Sequence, residues 1–256
     1  MTIFAAGWPY PRLIAHRGAG KSAPENTLSA MRHGARQGYR MFEYDVKLSR
    51  DQVPVLLHDA TLDRTSNAVG AVAKYSFNEL IQFDYGSWHG TEFCGEPMLS
   101  LYGMANFSIP LSLHSNIEIK PSPGLEAITG ALVAEQARQL WQTAALPPLL
   151  SSFSTECLQA AALSAPELPR ALLVEKPQAT TSLIEQLQQL GCIGLNMDHR
   201  LIEADLVAAC KAHNFFITAW TVNQPELARK LFELGVDAII TDNMDYPLLQ
   251  AYSLYA

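Results

Sequence analysis

Short apolar runs alternate along this chain with longer segments whose apolar positions recur at helical spacing. Residues 12–15 read as a buried strand. Asn26 or Thr27 then caps a helix that reaches about Gln37, where Gly38 ends it. In the strand that follows, residues 41–48, alternation places Glu43, Asp45 and Lys47 on one face and Phe42, Tyr44, Val46 and Leu48 on the other. Only residues 49–52 separate it from the run 53–57. A parallel crossover needs about a dozen residues, so these two runs form an antiparallel hairpin, and the return strand carries His58 back toward Asp45.

From residue 116 the alternation is regular. Strand patterns at 116–120, 149–152, 171–174, 194–197, 216–221 and 238–241 are each followed by a helical pattern: 125–141, 155–165, 180–190, 202–213, 225–234 and a closing helix. With the strands at 12–15 and 41–45 this makes eight parallel strands, which predicts an α/β fold closed as a (β/α)8 TIM barrel. Between Asp59 and about Leu113 the rhythm fails. That stretch carries Gly70, Gly86, Gly90 and Gly95, aromatic residues, and one short helical signal at 76–83. It is too long for an ordinary loop, so we expect an inserted lobe of about 59–113 over the barrel mouth, within a single domain spanning 1–256. Within it, residues 101–115 contain Pro110 and show poor helical period.

Composition narrows the class. At 256 residues, with 48% apolar and 17% charged positions, the chain can bury one large core without disulfides or structural metal. A net charge of -7 argues against nucleic acid or an anionic membrane as partner, because both require clustered Lys and Arg. Cys94, Cys157, Cys192 and Cys210 are scattered, with no metal-type spacing, which fits a reducing compartment. No secretory signal pattern and no bilayer-length apolar run occurs, so the expectation is a cytoplasmic protein without membrane insertion, monomeric or homodimeric.

Barrel chemistry gathers at the carboxyl ends of the strands. The groups ending the apolar runs are His16 and Arg17, Glu43 and Asp45, and Glu118 and Lys120, with His58 delivered by the hairpin; Ser151, Ser152, Phe153 and Trp220 follow later strands. Charges at such positions lose solvation unless they are paired or bind metal. Glu43, Asp45 and Glu118 could converge on one cation, and oxygen-only ligation points to Mg²⁺ or Ca²⁺, with Mn²⁺ also allowed. Arg17 and Lys120 would hold an anion beside it, a phosphate being the natural guess, and His16 with His58 suits a general base and acid pair. The alternative is a structural ion-pair network at the sheet rim. Glu25 and Asn26 read as local groups at a helix start, Asp59 as a support for His58 or a turn cap, and Asp242 as an orienting group or a helix cap.

The segments His16-Arg17-Gly18, 23–28 (Ala-Pro-Glu-Asn-Thr-Leu), 43–46 (Glu-Tyr-Asp-Val), 58–65 (His-Asp-Ala-Thr-Leu-Asp-Arg-Thr), 116–121 (Asn-Ile-Glu-Ile-Lys-Pro), 220–223 (Trp-Thr-Val-Asn) and Thr241-Asp242 closely resemble the glycerophosphodiester phosphodiesterases, over nearly the whole chain. The likeness is strongest to the small cytosolic bacterial members linked to glycerol-3-phosphate uptake. It implies metal-dependent hydrolysis of small-molecule glycerophosphodiesters to sn-glycerol 3-phosphate and an alcohol. In that family the positions of Glu43, Asp45 and Glu118 bind a divalent ion, those of His16 and His58 act as acid and base, those of Arg17 and Lys120 contact phosphate, and an aromatic at the Trp220 position lines the substrate pocket. Headgroup preference is expected to depend on the inserted lobe.

Overall fold

The computed structural model describes residues 7–245. Eight parallel strands close into a barrel: β1 (Leu13–His16), β2 (Met41–Leu48), β4 (His114–Ile119), β5 (Leu149–Ser152), β6 (Arg170–Val174), β7 (Gly194–Asp198), β8 (Phe216–Trp220) and β9 (Ala238–Thr241). Each pairs with its neighbours, and β1 pairs with both β2 and β9. The closing helix expected after Thr241 lies outside the described residues.

Alternation along the strands separates two apolar layers. Ile14, Met41, Leu149, Ala171, Ala238 and Ile240 pack together with Tyr10 inside the amino end of the barrel. Leu13, Ala15, Phe42, Tyr44, Ile117 and Ile119 pack outward with the helices. The inward set becomes polar toward the carboxyl end, where β2 offers Glu43, Asp45 and Lys47 and β4 offers Asn116 and Glu118. One strand period thus builds a dry floor and a charged rim.

The strand β3 (Pro54–Leu56) runs antiparallel to the far half of β2, with Val46 opposite Leu56. The Leu57 N–H donates to the Asp45 carbonyl at 3.1 Å, so His58 arrives beside Asp45 as the short break required. Beyond it, a lobe with the short helix α2 (Phe77–Leu80) packs Val55, Leu57, Leu62, Val72, Leu80, Tyr85 and Met98 into its own apolar cluster.

Two helices flank this insertion. Helix α1 (Leu28–Arg36) is capped by Thr27, whose hydroxyl accepts from the Ala30 N–H. Helix α3 (Leu101–Ser108), capped by Ser100, occupies the stretch whose sequence shows poor period. It buries Leu101, Met104 and Ala105 in the main core and so belongs to the barrel wall, not to a lobe reaching residue 113. Its pattern is masked because Tyr102 lies on the solvent side, 59% exposed. Pro110 falls after the helix end.

The remaining wall is α4 (Glu126–Leu140), α5 (Thr155–Ser164), α6 (Thr180–Leu190), α7 (Ala204–Ala212) and α8 (Pro225–Leu234). Among the described residues, no helix is long and apolar enough to cross a membrane. Cys157, Cys192 and Cys210 are buried and Cys94 exposed, all as free thiols.

Candidate active site

Strand register brings the acids together. Glu43 lies opposite His16 of β1 and Asn116 of β4, and two residues on Asp45 lies opposite Glu118. One carboxylate oxygen from each of Glu43, Asp45 and Glu118 falls within 4.8 Å of the others, and all three side chains are buried. Such crowding is costly without a cation. Burial, then the charge of Asp45, pushes the Glu43 carboxyl far upward, and the same causes raise Glu118. Asp45 is held low: its burial is outweighed by Lys120, Arg17, His58 and the Asn26 amide. Three buried oxygen ligands with charge left to neutralise suit a hard divalent ion.

Two cations stand beside the trio. Lys120 Nζ lies 3.2 Å from Asp45 Oδ1 and 3.1 Å from Glu118 Oε1. Arg17, left-handed at φ 50°, places its Nε 3.5 Å from Asp45 Oδ2 while its backbone N–H donates to Glu43 at 3.2 Å. Asn26 departs from the expected local role at a helix start. Its amide nitrogen donates to Asp45 Oδ2 at 2.9 Å and its oxygen accepts from the Asp45 N–H at 3.1 Å, so it braces the central acid of the trio. Thr27 does the capping instead.

Each histidine has a carboxylate on Nδ1, leaving Nε2 toward the pocket. His16 Nδ1 lies 2.6 Å from Asp242 Oδ1, with its Nε2 3.8 Å from Glu43. His58 Nδ1 lies 2.7 Å from Asp59 Oδ1. Asp59 takes two hydrogen bonds from Arg64, which forks to Glu25, which in turn holds Arg17 at 2.8 Å. Both sequence alternatives for Asp59 and Asp242 therefore resolve toward orienting a histidine.

The two rings are poised oppositely. For His16 burial opposes the charge, yet the Asp242 hydrogen bond and the Glu43 charge raise its pKa above the ordinary 6.5. For His58 burial dominates, with Arg17 and Lys120 reinforcing it against Asp45, and its pKa falls below 6.5.

Lys47, noted in sequence only for sharing the acidic face, is 1% exposed. Its Nζ donates to the His58 carbonyl at 2.9 Å and to the Lys120 carbonyl at 3.2 Å, tying the hairpin to the end of β4. Burial brings its pKa down to about 8.

These groups open onto one cavity of about 630 Å³. His16, Arg17, Glu43, His58, Glu118 and Lys120 line it, as do residues 151–154, Glu175 and Trp220. Trp220 is among the residues lining the cavity. The lobe contributes little: of the residues after Leu57 and before α3, only His58 lines the cavity, and much of the remaining lining comes from the loops after β4, β5 and β6. Glu175 escaped notice in sequence although it directly follows an apolar run, the same signal that marked the other site residues.

This arrangement has close counterparts. The model of the glycerophosphoryl diester phosphodiesterase family matches residues 16–246. A glycerophosphodiester phosphodiesterase of Caldanaerobacter subterraneus subsp. tengcongensis is 31% identical over 238 residues, covering 90% of this chain and 93% of that protein. A phosphodiesterase of Oleispira antarctica, solved in complex with the product sn-glycerol-3-phosphate, superposes with a TM-score of 0.85 at 35% identity, over 94% of this chain and 96% of that one. A glycerophosphodiester phosphodiesterase of Agrobacterium tumefaciens superposes with a TM-score of 0.78 at 25% identity, over 94% and 100%. The paired histidines, acidic trio and cations thus sit in a chain that belongs to the glycerophosphodiester phosphodiesterase family.

Proposed function

We propose that the protein hydrolyses deacylated phospholipid diesters such as glycerophosphocholine or glycerophosphoethanolamine to sn-glycerol 3-phosphate and the free alcohol. The observation that carries this is the convergence in one cavity of three buried carboxylates, two cations and two histidines, each histidine steadied by its own carboxylate. Glu43, Asp45 and Glu118 are the residues that would hold one divalent ion, Mg²⁺ or Ca²⁺, with Mn²⁺ also suitable. When bound, it would polarise a phosphoryl oxygen and lower the pKa of a coordinated hydroxyl.

The charge balance supports the reading. Three acids against Arg17 and Lys120 leave one negative charge. A divalent ion turns this to one positive, which a phosphodiester monoanion neutralises. Arg17 and Lys120 hold the phosphate oxygens. His58, whose pKa burial lowers, takes the proton of the attacking oxygen through Nε2, and His16, whose pKa the Asp242 hydrogen bond and the Glu43 charge raise, gives one to the departing alkoxide.

The test is release of glycerol 3-phosphate from glycerophosphocholine by the purified protein, with and without a chelator. Product formed at an undiminished rate after metal removal refutes the metal assignment. A cyclic phosphate as the final product refutes hydrolysis in favour of a lyase.

A further inference from the structure

The cavity lining holds more than the reactive groups. It includes Arg17 and Lys120, both engaged by the acids beside them, together with two carboxylates, Glu126 and Glu175, and two aromatic rings, Phe153 and Trp220. Among the described residues, neither carboxylate has an ion-pair partner. Glu126 accepts one hydrogen bond, at 3.2 Å from the Gly124 N–H through Oε1. Its place in the first turn of α4 explains an acid at that position but not a cavity shared with rings.

Phe153 and Trp220 meet edge to face, centroids 5.8 Å apart and planes at 86°, so that they form a corner. Phe153 is 38% exposed, a large apolar side chain left open at the end of β5. Lys120 Nζ stands 5.9 Å from the centre of its ring, which puts the corner next to the group assigned to phosphate. A phosphate held at Lys120 therefore has one of its two substituents within reach of the Phe153 ring.

We propose that Phe153, Trp220, Glu126 and Glu175 form a recognition site for a cationic headgroup, giving preference for diesters of amino alcohols over those of neutral polyols. The proposal rests on the activity inferred above and adds the class of alcohol. An ammonium or quaternary ammonium is attracted by ring faces and by carboxylates at once. A neutral polyol gains nothing from the two charges. A zwitterion with phosphate and ammonium a few bonds apart can engage Lys120 and the ring beside it together.

The experiment measures kcat/KM for glycerophosphocholine, glycerophosphoethanolamine, glycerophosphoglycerol and glycerophosphoinositol, in the wild type and in the Glu126→Gln/Glu175→Gln and Phe153→Ala variants. Gln keeps the shape and removes only the charge. The expected result is a wild-type preference for the two amino-alcohol diesters of at least about tenfold, carried by KM, which collapses to within about threefold in the double Gln variant and is reduced in Phe153→Ala. Equal use of all four diesters by the wild type, or a preference that survives the double substitution, overturns the proposal while leaving the hydrolase reading intact. If no diester is cleaved, the hydrolase reading fails, and calorimetric binding of glycerophosphocholine against glycerophosphoglycerol decides the headgroup site. Tighter binding of the former, lost in the double variant, supports it, and equal binding overturns it.

Discussion

Asp242→Asn isolates the group that charges His16. In the folded protein Asp242 Oδ1 sits 2.6 Å from His16 Nδ1, while Asp242 Oδ2 accepts from the Asn223 amide at 3.2 Å. The substituted amide cannot serve both neighbours: with its oxygen toward Asn223 it turns an NH₂ to His16, which then must accept at Nδ1. Imidazolium is thereby disfavoured. A charge-assisted hydrogen bond is worth about 1.5–3 kcal/mol, and one pKa unit corresponds to about 1.4 kcal/mol, so the His16 pKa falls by about one to two units. A cation in the acidic trio acts on parent and variant alike and cancels in the comparison. The assay is kcat against pH with glycerophosphocholine at saturating metal. In the wild type, activity is expected to rise with pH as His58 loses its proton and to fall as His16 loses its own. In the variant the high-pH limb moves down by about one to two units, the low-pH limb stays, and kcat above neutrality drops about ten- to a hundredfold. An unmoved high-pH limb, with kcat within about threefold of wild type, would refute His16 as the acid.

Other substitutions test neighbouring parts. His16→Ala and His58→Ala each lower turnover at least about a hundredfold, and near-normal turnover in either removes that ring from the mechanism. Lys47→Met orphans two buried carbonyls while relieving a buried ammonium, a net loss of about 1–3 kcal/mol that lowers Tm by roughly 3–10 °C; an unchanged melt contradicts the tether between hairpin and β4. Because folding lowers the Lys47 pKa from 10.5 to about 8, the folded state bears the full cost of its charge below pH 8 and none above 10.5. Stability from this group therefore rises across that window in the wild type, a rise that denaturant titrations of Lys47→Met should lack. Gly20, at φ +53°, would bring a Cβ within 2.4 Å of the Asp242 backbone. Gly20→Ala is expected to destabilise by more than about 1 kcal/mol and to shift the high-pH limb as Asp242→Asn does, and a variant normal in both respects shows that the loop can yield.

The strand ends were legible because burying charge is expensive wherever it occurs. Glu43, Asp45, Glu118, Lys120, His16 and Arg17 announce themselves by interrupting apolar runs, and the four-residue break after Leu48 leaves a hairpin as the only route for His58. Helix α3 was hidden for the opposite reason. An exposed Tyr102 at the helix surface and Leu111 just beyond it, 51% exposed, blur the contrast on which periodicity depends.

What the sequence by itself determined is the order of strands and helices, the closed barrel and the residue types at its carboxyl rim, since these follow from local periods and from the cost of burying charge. Tertiary structure alone decided which acid meets which base. Asn26, adjacent to a helix cap in sequence, reaches 19 residues on to brace Asp45, and Asp242 reaches back 226 residues to hold His16 Nδ1. It also decided that the loops after β4, β5 and β6, far more than the inserted lobe, line the cavity beside the acidic trio. Register across a closed sheet sets these distances, and register is a property of many strands together that no single segment encodes.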